Sequence, residues 1–205
     1  MNRLRSLGAL ITLWLGSLAA PAQQPPAVPV DQEPHHKVVF KNDFVRVIDA
    51  TFPPGYVTLN HTHEADNVAV MISPGRDGAA AARGIGRASF SRGGYSHTVT
   101  NPGPGVMRFI AVEILKPERE NAPAAMAPKH VLETENDRVR IYRVRLDAGE
   151  SLMDHTHPAG WLEVTVTGGT GPGAYAWQSG GQERPLRAGS DAPLEIVELE
   201  PKQVK

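Results

Sequence analysis

The sequence contains no cysteine. Disulfides, a lipid-modified cysteine and thiolate metal ligands are therefore excluded, so packing must hold the chain together and any metal would fall to histidine or carboxylate. An excess of either charge is also missing: 21 Lys and Arg stand against 22 Asp and Glu, a formal charge of −1. Such a balance offers no basic field to nucleic acid or to an acidic membrane surface. Aromatic residues make up only 6% of the chain. Beyond residue 22 no stretch shows sustained helical periodicity, which leaves strands as the building material. What is plentiful is glycine and proline, 20 and 18 residues, the punctuation of many short strands joined by tight turns.

The one long apolar run stands at the start. Arg3 and Arg5 precede Leu7 to Ala20, 14 residues ending in small ones, and Ala20-Pro21-Ala22 fits a small-x-small cleavage site. The run is shorter than the roughly 20 apolar residues a membrane span needs. It reads as a secretory signal peptide over residues 1–22, and implies a secreted or periplasmic protein with no membrane attachment after processing. Removing Arg3 and Arg5 would leave 19 basic and 22 acidic residues, a charge of −3. Residues 23–36, with four prolines, read as a flexible or extended leader ending in a solvated pair, His35 and His36.

After the leader the chain says the same thing twice. Gly55 to His63 reads GYVTLNHTH and Gly149 to His157 reads GESLMDHTH; from Asn42/Asn136 to His63/His157 the offset stays at 94 residues (136 − 42 and 157 − 63). One structural unit has been written twice, over residues 37–116 and 130–201, with 117–129 as a Pro- and Ala-rich linker. Within each unit short β-branched runs are separated by turn signals such as Pro53-Pro54-Gly55 and Asn101-Pro102-Gly103, which argues for a sandwich or barrel. A strand sends alternate side chains to opposite faces, so His61 and His63 point to one side with Thr62 on the other. Converging neutral imidazoles suit a divalent transition metal.

Downstream of that pair, Arg92, Gly94, His97 and Asn101 lie in RGGYSHTVTN. Together these residues resemble the two motifs of the cupins: glycine, five residues, His-x-His and then glutamate; and Pro-x-Gly-x-x-His-x-x-x-Asn, here with Arg92 in place of proline. The resemblance implies an all-β chain of two cupin-type jelly-roll barrels in tandem. It also implies one divalent metal (Fe, Mn, Ni, Cu or Zn) on His61, His63 and His97. The family's glutamate position falls on Asn67, a neutral residue, with Glu64, Asp66 and Tyr95 near enough to act as outer groups or as a base.

The second unit keeps the first motif but not the second. No histidine follows His157, Trp161 stands at the glutamate position, and VEIL at Val112 to Leu115 aligns with VELE at Val197 to Glu200 at an offset of 85, about nine residues short. His155 and His157 therefore read as a vestigial site in a degenerate barrel, and His130, at the 94-residue offset from His36, as the start of a strand. Three function classes follow: a metal-dependent, dioxygenase-like oxidoreductase acting on a small molecule; a non-catalytic ligand- or metal-binding cupin; and a metal-dependent isomerase or lyase. A homodimer through the sheet edges is a further expectation.

Overall fold

The computed structural model describes residues 26–125 and 128–202; the expected signal peptide lies outside them. The first unit holds β1 (Val28–Pro29), β2 (His36–Lys41), β3 (Val45–Phe52), β4 (His61–His63), β5 (Asn67–Pro74), β6 (Ala88–Ser91), β7 (Tyr95–His97) and β8 (Met107–Ile114). The second holds β9 (His130–Glu135), β10 (Val139–Leu146), β11 (Ser151–Leu152), β12 (Trp161–Thr167), β13 (Tyr175–Gln178), β14 (Leu186–Arg187) and β15 (Leu194–Pro201). A single helical turn, α1 (Ala79–Ala82), lies between β5 and β6. Each unit has a five-stranded antiparallel sheet, in the order β2-β3-β8-β5-β6 or β13-β12-β15-β10-β9, opposed by a small one, β1-β4-β7 or β11-β14.

The hairpins start alike. Asn42 accepts the backbone N–H groups of Phe44 and Val45 at 2.8 Å each, and Asn136 those of Arg138 and Val139 at 2.7 and 3.0 Å, a side-chain turn that fixes where β3 and β10 begin. From there the pleat divides the side chains. In β3, Ile48, Ala50 and Phe52 face the barrel interior, whereas Val45 and Val47 face the other unit.

The two large sheets pack face to face. Register fixes the equivalence: Arg46 pairs with Glu113 as Arg140 pairs with Glu200, and Val68 pairs with Val112 as Leu162 pairs with Leu199. The last strands thus correspond at an offset of 87 (200 − 113), not the 85 that VEIL and VELE suggested, because ladder pairing, not local likeness, sets register. In these terms Val45, Val47, Val68, Val70, Ile110 and Val112 meet their own counterparts Val139, Ile141, Leu162, Val164, Val197 and Leu199 in one core. The same surface of each copy is buried on the other. Each such side chain contributes about 1.5–3 kcal/mol on burial, so this layer outweighs the polar pins at its rim, partly exposed pairs typically worth about 0–1 kcal/mol. Those pins include Arg138 Nε to Asp66 Oδ2 at 2.7 Å and Arg92 to Asp137; Phe44 stacked on Trp177, centroids 5.2 Å apart, belongs with the apolar layer.

Two segments read as connectors are built into the barrels. β1 pairs in parallel with β4, Val30 is buried, and β2 begins at a buried His36, so residues 28–36 close the first barrel instead of forming a leader. The linker is likewise anchored: Ala122 and Ala125 are buried, the Ala122 carbonyl accepts from Arg140 Nη1 at 3.0 Å, and Ala125 N–H donates to Tyr142 Oη at 3.0 Å. Among the described residues no helix is long and apolar enough to cross a membrane.

Candidate metal centres

In the first barrel β4 and β7 run antiparallel with His61 opposite His97 and His63 opposite Tyr95. Four side chains therefore share one face of a two-stranded ladder, and that face is interior: His61 is fully buried and His63 nearly so. His61 Nδ1 lies 2.9 Å from the Leu59 carbonyl oxygen. A carbonyl only accepts, so Nδ1 carries the proton and Nε2 is left as a bare donor atom. Nε2 of His61 and Nε2 of His97 are both buried without a hydrogen-bond partner, and the two rings are 4.5 Å apart by centroid, with His63 at 5.2 and 5.3 Å from them. Buried, orphaned nitrogens on neighbouring rings fit a metal ion, although His97 stands outside the set of three histidines whose nitrogens all lie within 4.8 Å of one another.

A fourth imidazole arrives from a place the sequence reading dismissed. His36, far from being solvated, sits 4.5 Å from the His61 ring, and one nitrogen from each of His36, His61 and His63 lies within 4.8 Å of the others. Its Nδ1 is 2.6 Å from Glu33 Oε2, while Glu33 also accepts from Tyr56 Oη and from the His35 backbone, both at 2.8 Å. The Glu33 carboxylate is thereby fixed, and it fixes His36. Burial, reinforced by the neighbouring imidazoles, pushes His36 and His97 down to about 4, and His61 below its ordinary value. These rings are neutral near pH 7, the form that ligates.

Beside them is a cavity of about 120 Å³ with walls from Ala50, Phe52, Ala69, Phe109 and Ala111 and polar points at Asn67 and Tyr95. Asn67 Nδ2 donates to Tyr95 Oη at 3.3 Å, and the Tyr95 ring stacks on His63 at 5.3 Å. Two of the expected outer groups are elsewhere. Glu64 is exposed, and Asp66 turns away to accept from the Gly93 backbone at 2.8 Å and from Arg138. Asn101 is structural: fully buried, its Nδ2 serves the carbonyls of Phe52, Pro53 and Gly105 at 2.8–3.1 Å, and its Oδ1 accepts from Gly103 N–H at 3.0 Å.

The second barrel holds more than a pair. His155 and His157 do not lie in a strand; their carbonyls accept from Arg184 and Gly181 at 2.8 and 2.7 Å. The structure nevertheless brings two further residues to them. His130 Nε2 is 2.8 Å and His157 Nε2 3.0 Å from Glu198 Oε2, and His155 Nε2 is 2.8 Å from Glu198 Oε1. Glu198, His155 and His157 are fully buried. The three imidazoles hold the Glu198 carboxyl far below the usual carboxylate range, against a burial that would raise it. His157 Nδ1 rests 3.0 Å from Glu200 Oε2, and the two carboxylates raise its pKa against burial. Trp161 covers the site, stacked on His157 at 4.4 Å.

A third imidazole therefore stands beside the pair, from the strand that opens the unit. His130 stands at the same 94-residue offset from His36 as His155 from His61 (130 − 36 = 94), which was the signal. Glu198 carried no such signal, because its counterpart at the 87-residue offset is Ala111 (198 − 111 = 87). That alanine opens the cavity in one barrel, and that glutamate fills the other.

No family model matches the sequence, and no curated relative matches it either. Solved structures do match. Salicylate 1,2-dioxygenase from Pseudaminobacter salicylatoxidans aligns over 77% of this chain and 71% of its own at 11% identity, with a TM-score of 0.52. Oxalate decarboxylase from Lactobacillus farciminis, solved as a formate complex, aligns over 80% and 78% at 11% identity and a TM-score of 0.53. A cupin domain from Bordetella pertussis is 24% identical over 46% of this chain and 98% of its own, with a TM-score of 0.33. The two longer matches run across both repeats of an all-β chain whose His-x-His turns into the barrel, and the protein has the all-β cupin fold.

Proposed function

We propose that the first barrel binds a divalent transition metal through His61, His63 and His97, with His36 alongside, and that the protein is an exported, dioxygenase-like oxidoreductase acting on a small anionic molecule. The observation that carries this reading is the pair of buried, partnerless Nε2 atoms of His61 and His97 beside an apolar cavity. Bound there, a metal would supply Lewis acidity and open positions for substrate oxygen and dioxygen. The remaining work falls to the chain. With imidazoles and Asn67 in place of a carboxylate, none of the residues set to touch the metal would bring a negative charge to it, which favours an anionic ligand. Phe52, Phe109 and Val99 give the cavity apolar walls, and Asn67 and Tyr95 offer polar contacts that would orient what enters. At about 120 Å³ the space suits a molecule of few heavy atoms, and the fold neighbours named for salicylate and oxalate act on small carboxylates.

The alternatives make different demands. An isomerase or lyase needs a base beside the metal; Glu64 is exposed, Asp66 is held by Arg138, Glu33 by His36 and Glu113 by Arg46, which leaves Tyr95 on the cavity wall for that role. A purely binding cupin needs no base. Metal analysis followed by oxygen uptake with phenolic, carboxylate and thiol substrates separates these classes: uptake that disappears with His97→Ala supports the oxidoreductase. Tight metal with ligand binding but no turnover supports the binding class. Export rests on the N-terminal pattern, and an N-terminus near Gln23 on the protein from its native host is the expected result.

A further inference from the structure

We infer that the second barrel is a second metal centre, closed and structural, whose ligands are His130, His155, His157 and Glu198. It uses neither the glutamate nor the third histidine of the cupin motifs: one ligand comes from the first strand of the unit and one from the last. Three observations converge on it. The three Nε2 atoms stand 2.8–3.0 Å from the Glu198 oxygens. For a metal at about 2.0–2.2 Å from each donor, neighbouring donors fall roughly 3 Å apart.

Next, the far nitrogens of His155 and His157 are committed as those of ligating histidines are, while that of His130 is buried without a partner. His155 Nδ1 lies 2.7 Å from the Arg184 carbonyl oxygen, and His157 Nδ1 faces Glu200, itself held by Arg140 Nη1 at 2.6 Å. A carbonyl can only accept, so the neutral His155 ring carries its proton on Nδ1 and presents Nε2 as a lone pair.

The third observation decides between a metal and a plain hydrogen-bond cluster. His155 Nε2 and Glu198 Oε1 are 2.8 Å apart, yet neither has a hydrogen-bond partner. Fully buried, 2.8 Å apart and out of line for a hydrogen bond, the two atoms make no proper bond to each other. Directed instead at a common point, they are two ligands of one cation.

The chemistry of the site follows from its burial. Four protein donors and a Trp161 lid leave no open position, the pattern of a structural site; the first barrel keeps a cavity, the pattern of a reactive one. Three imidazoles and one carboxylate favour zinc or another late first-row ion over calcium or magnesium, which prefer oxygen.

The test counts metal per chain, by elemental analysis after reconstitution with Zn²⁺ or Co²⁺, in the parent, in His61→Ala/His97→Ala and in Glu198→Gln. The inference rests on residues separate from the first barrel, so the outcomes are distinguishable. Expected are about two, one and one, with Co²⁺ in the His61→Ala/His97→Ala protein giving the intense visible absorption of a four-coordinate site. Glu198→Gln should weaken the second Co²⁺ by more than about 100-fold, beyond the range of outer-shell changes. Counts of one, none and one would overturn the inference and leave the first centre standing; one, one and none would do the reverse. Should Glu198→Gln fail to fold, the His61→Ala/His97→Ala protein still decides: a folded chain without a Co²⁺ band refutes the second centre.

Discussion

Asn101 gives the sharpest test of the packing argument, because it sits in a cupin motif yet touches no reacting group. Its amide offers two N–H donors to three carbonyls, so one is shared, and its oxygen accepts a third full bond from Gly103. Asn101→Ala therefore removes about three hydrogen bonds and strands buried carbonyls. At about 1 kcal/mol net each, the expected loss is about 3 kcal/mol. Asn101→Asp is the instructive partner. It keeps the acceptor toward Gly103 but aims a carboxylate at the Phe52, Pro53 and Gly105 carbonyls, so at pH 7 it should be at least as unstable as the alanine variant and recover in part as acid protonates it. Urea unfolding of the three proteins at pH 7 and pH 5 measures this. A loss below about 1 kcal/mol for Asn101→Ala, or an aspartate variant more stable than the alanine one at pH 7, would show that the turn is held by something else.

Metal-free protein should lose stability as pH falls from about 6.5 toward 4. His36 and His97 have folded values near 4 against 6.5 in the open chain, so the unfolded state takes up more protons in that window, and stability is complete only above it; for His36 the gap of 2.5 (6.5 − 4) corresponds to at most about 3 kcal/mol. Thermal melts of chelator-treated protein across pH 4–7 check it, and a flat profile refutes the burial argument. Gly93→Ala should cost stability and weaken metal binding in the first barrel, since an added Cβ would lie 2.3 Å from the Glu64 carbonyl oxygen and displace the turn that leads into Tyr95 and His97. Glu33→Gln should leave the fold intact but loosen His36, seen as a rise in metal dissociation rate without loss of His61 and His97 ligation. Val164→Ala should cost about 1–3 kcal/mol, the price of a cavity in the layer between the sheets.

Much of this was readable in the residues. The 94-residue repeat and the alternation in Val45 to Phe52 announced paired β units, and the His-x-His spacing announced two inward imidazoles, because period and pleat are local properties. His36 and His130 were legible by the same offset, yet both stand at strand starts next to connector-like sequence, and only burial distinguishes a ligand there from a solvated ring. Glu198 was not legible: the alignment that looked natural, VEIL on VELE, is two residues out of ladder register, and a slip of two preserves the in–out alternation while moving every side chain one pleat along. Asp66 misled in the other direction, since its partner Arg138 is 72 residues away in sequence and belongs to the other barrel.

The self-matching core between the sheets has a consequence for how such a chain can change. A surface that packs against its own copy is what a two-fold dimer presents, so a lone unit bearing Val45, Val47, Val68, Val70 and Val112 would be expected to pair with itself. Tethering the halves keeps the partner at high effective concentration at any dilution. It also removes the symmetry requirement: in a dimer of identical units any substitution in one site is made in both, whereas here Ala111 and Glu198 occupy one position of the repeat with opposite results. The tether lets one barrel keep a cavity while the other is filled.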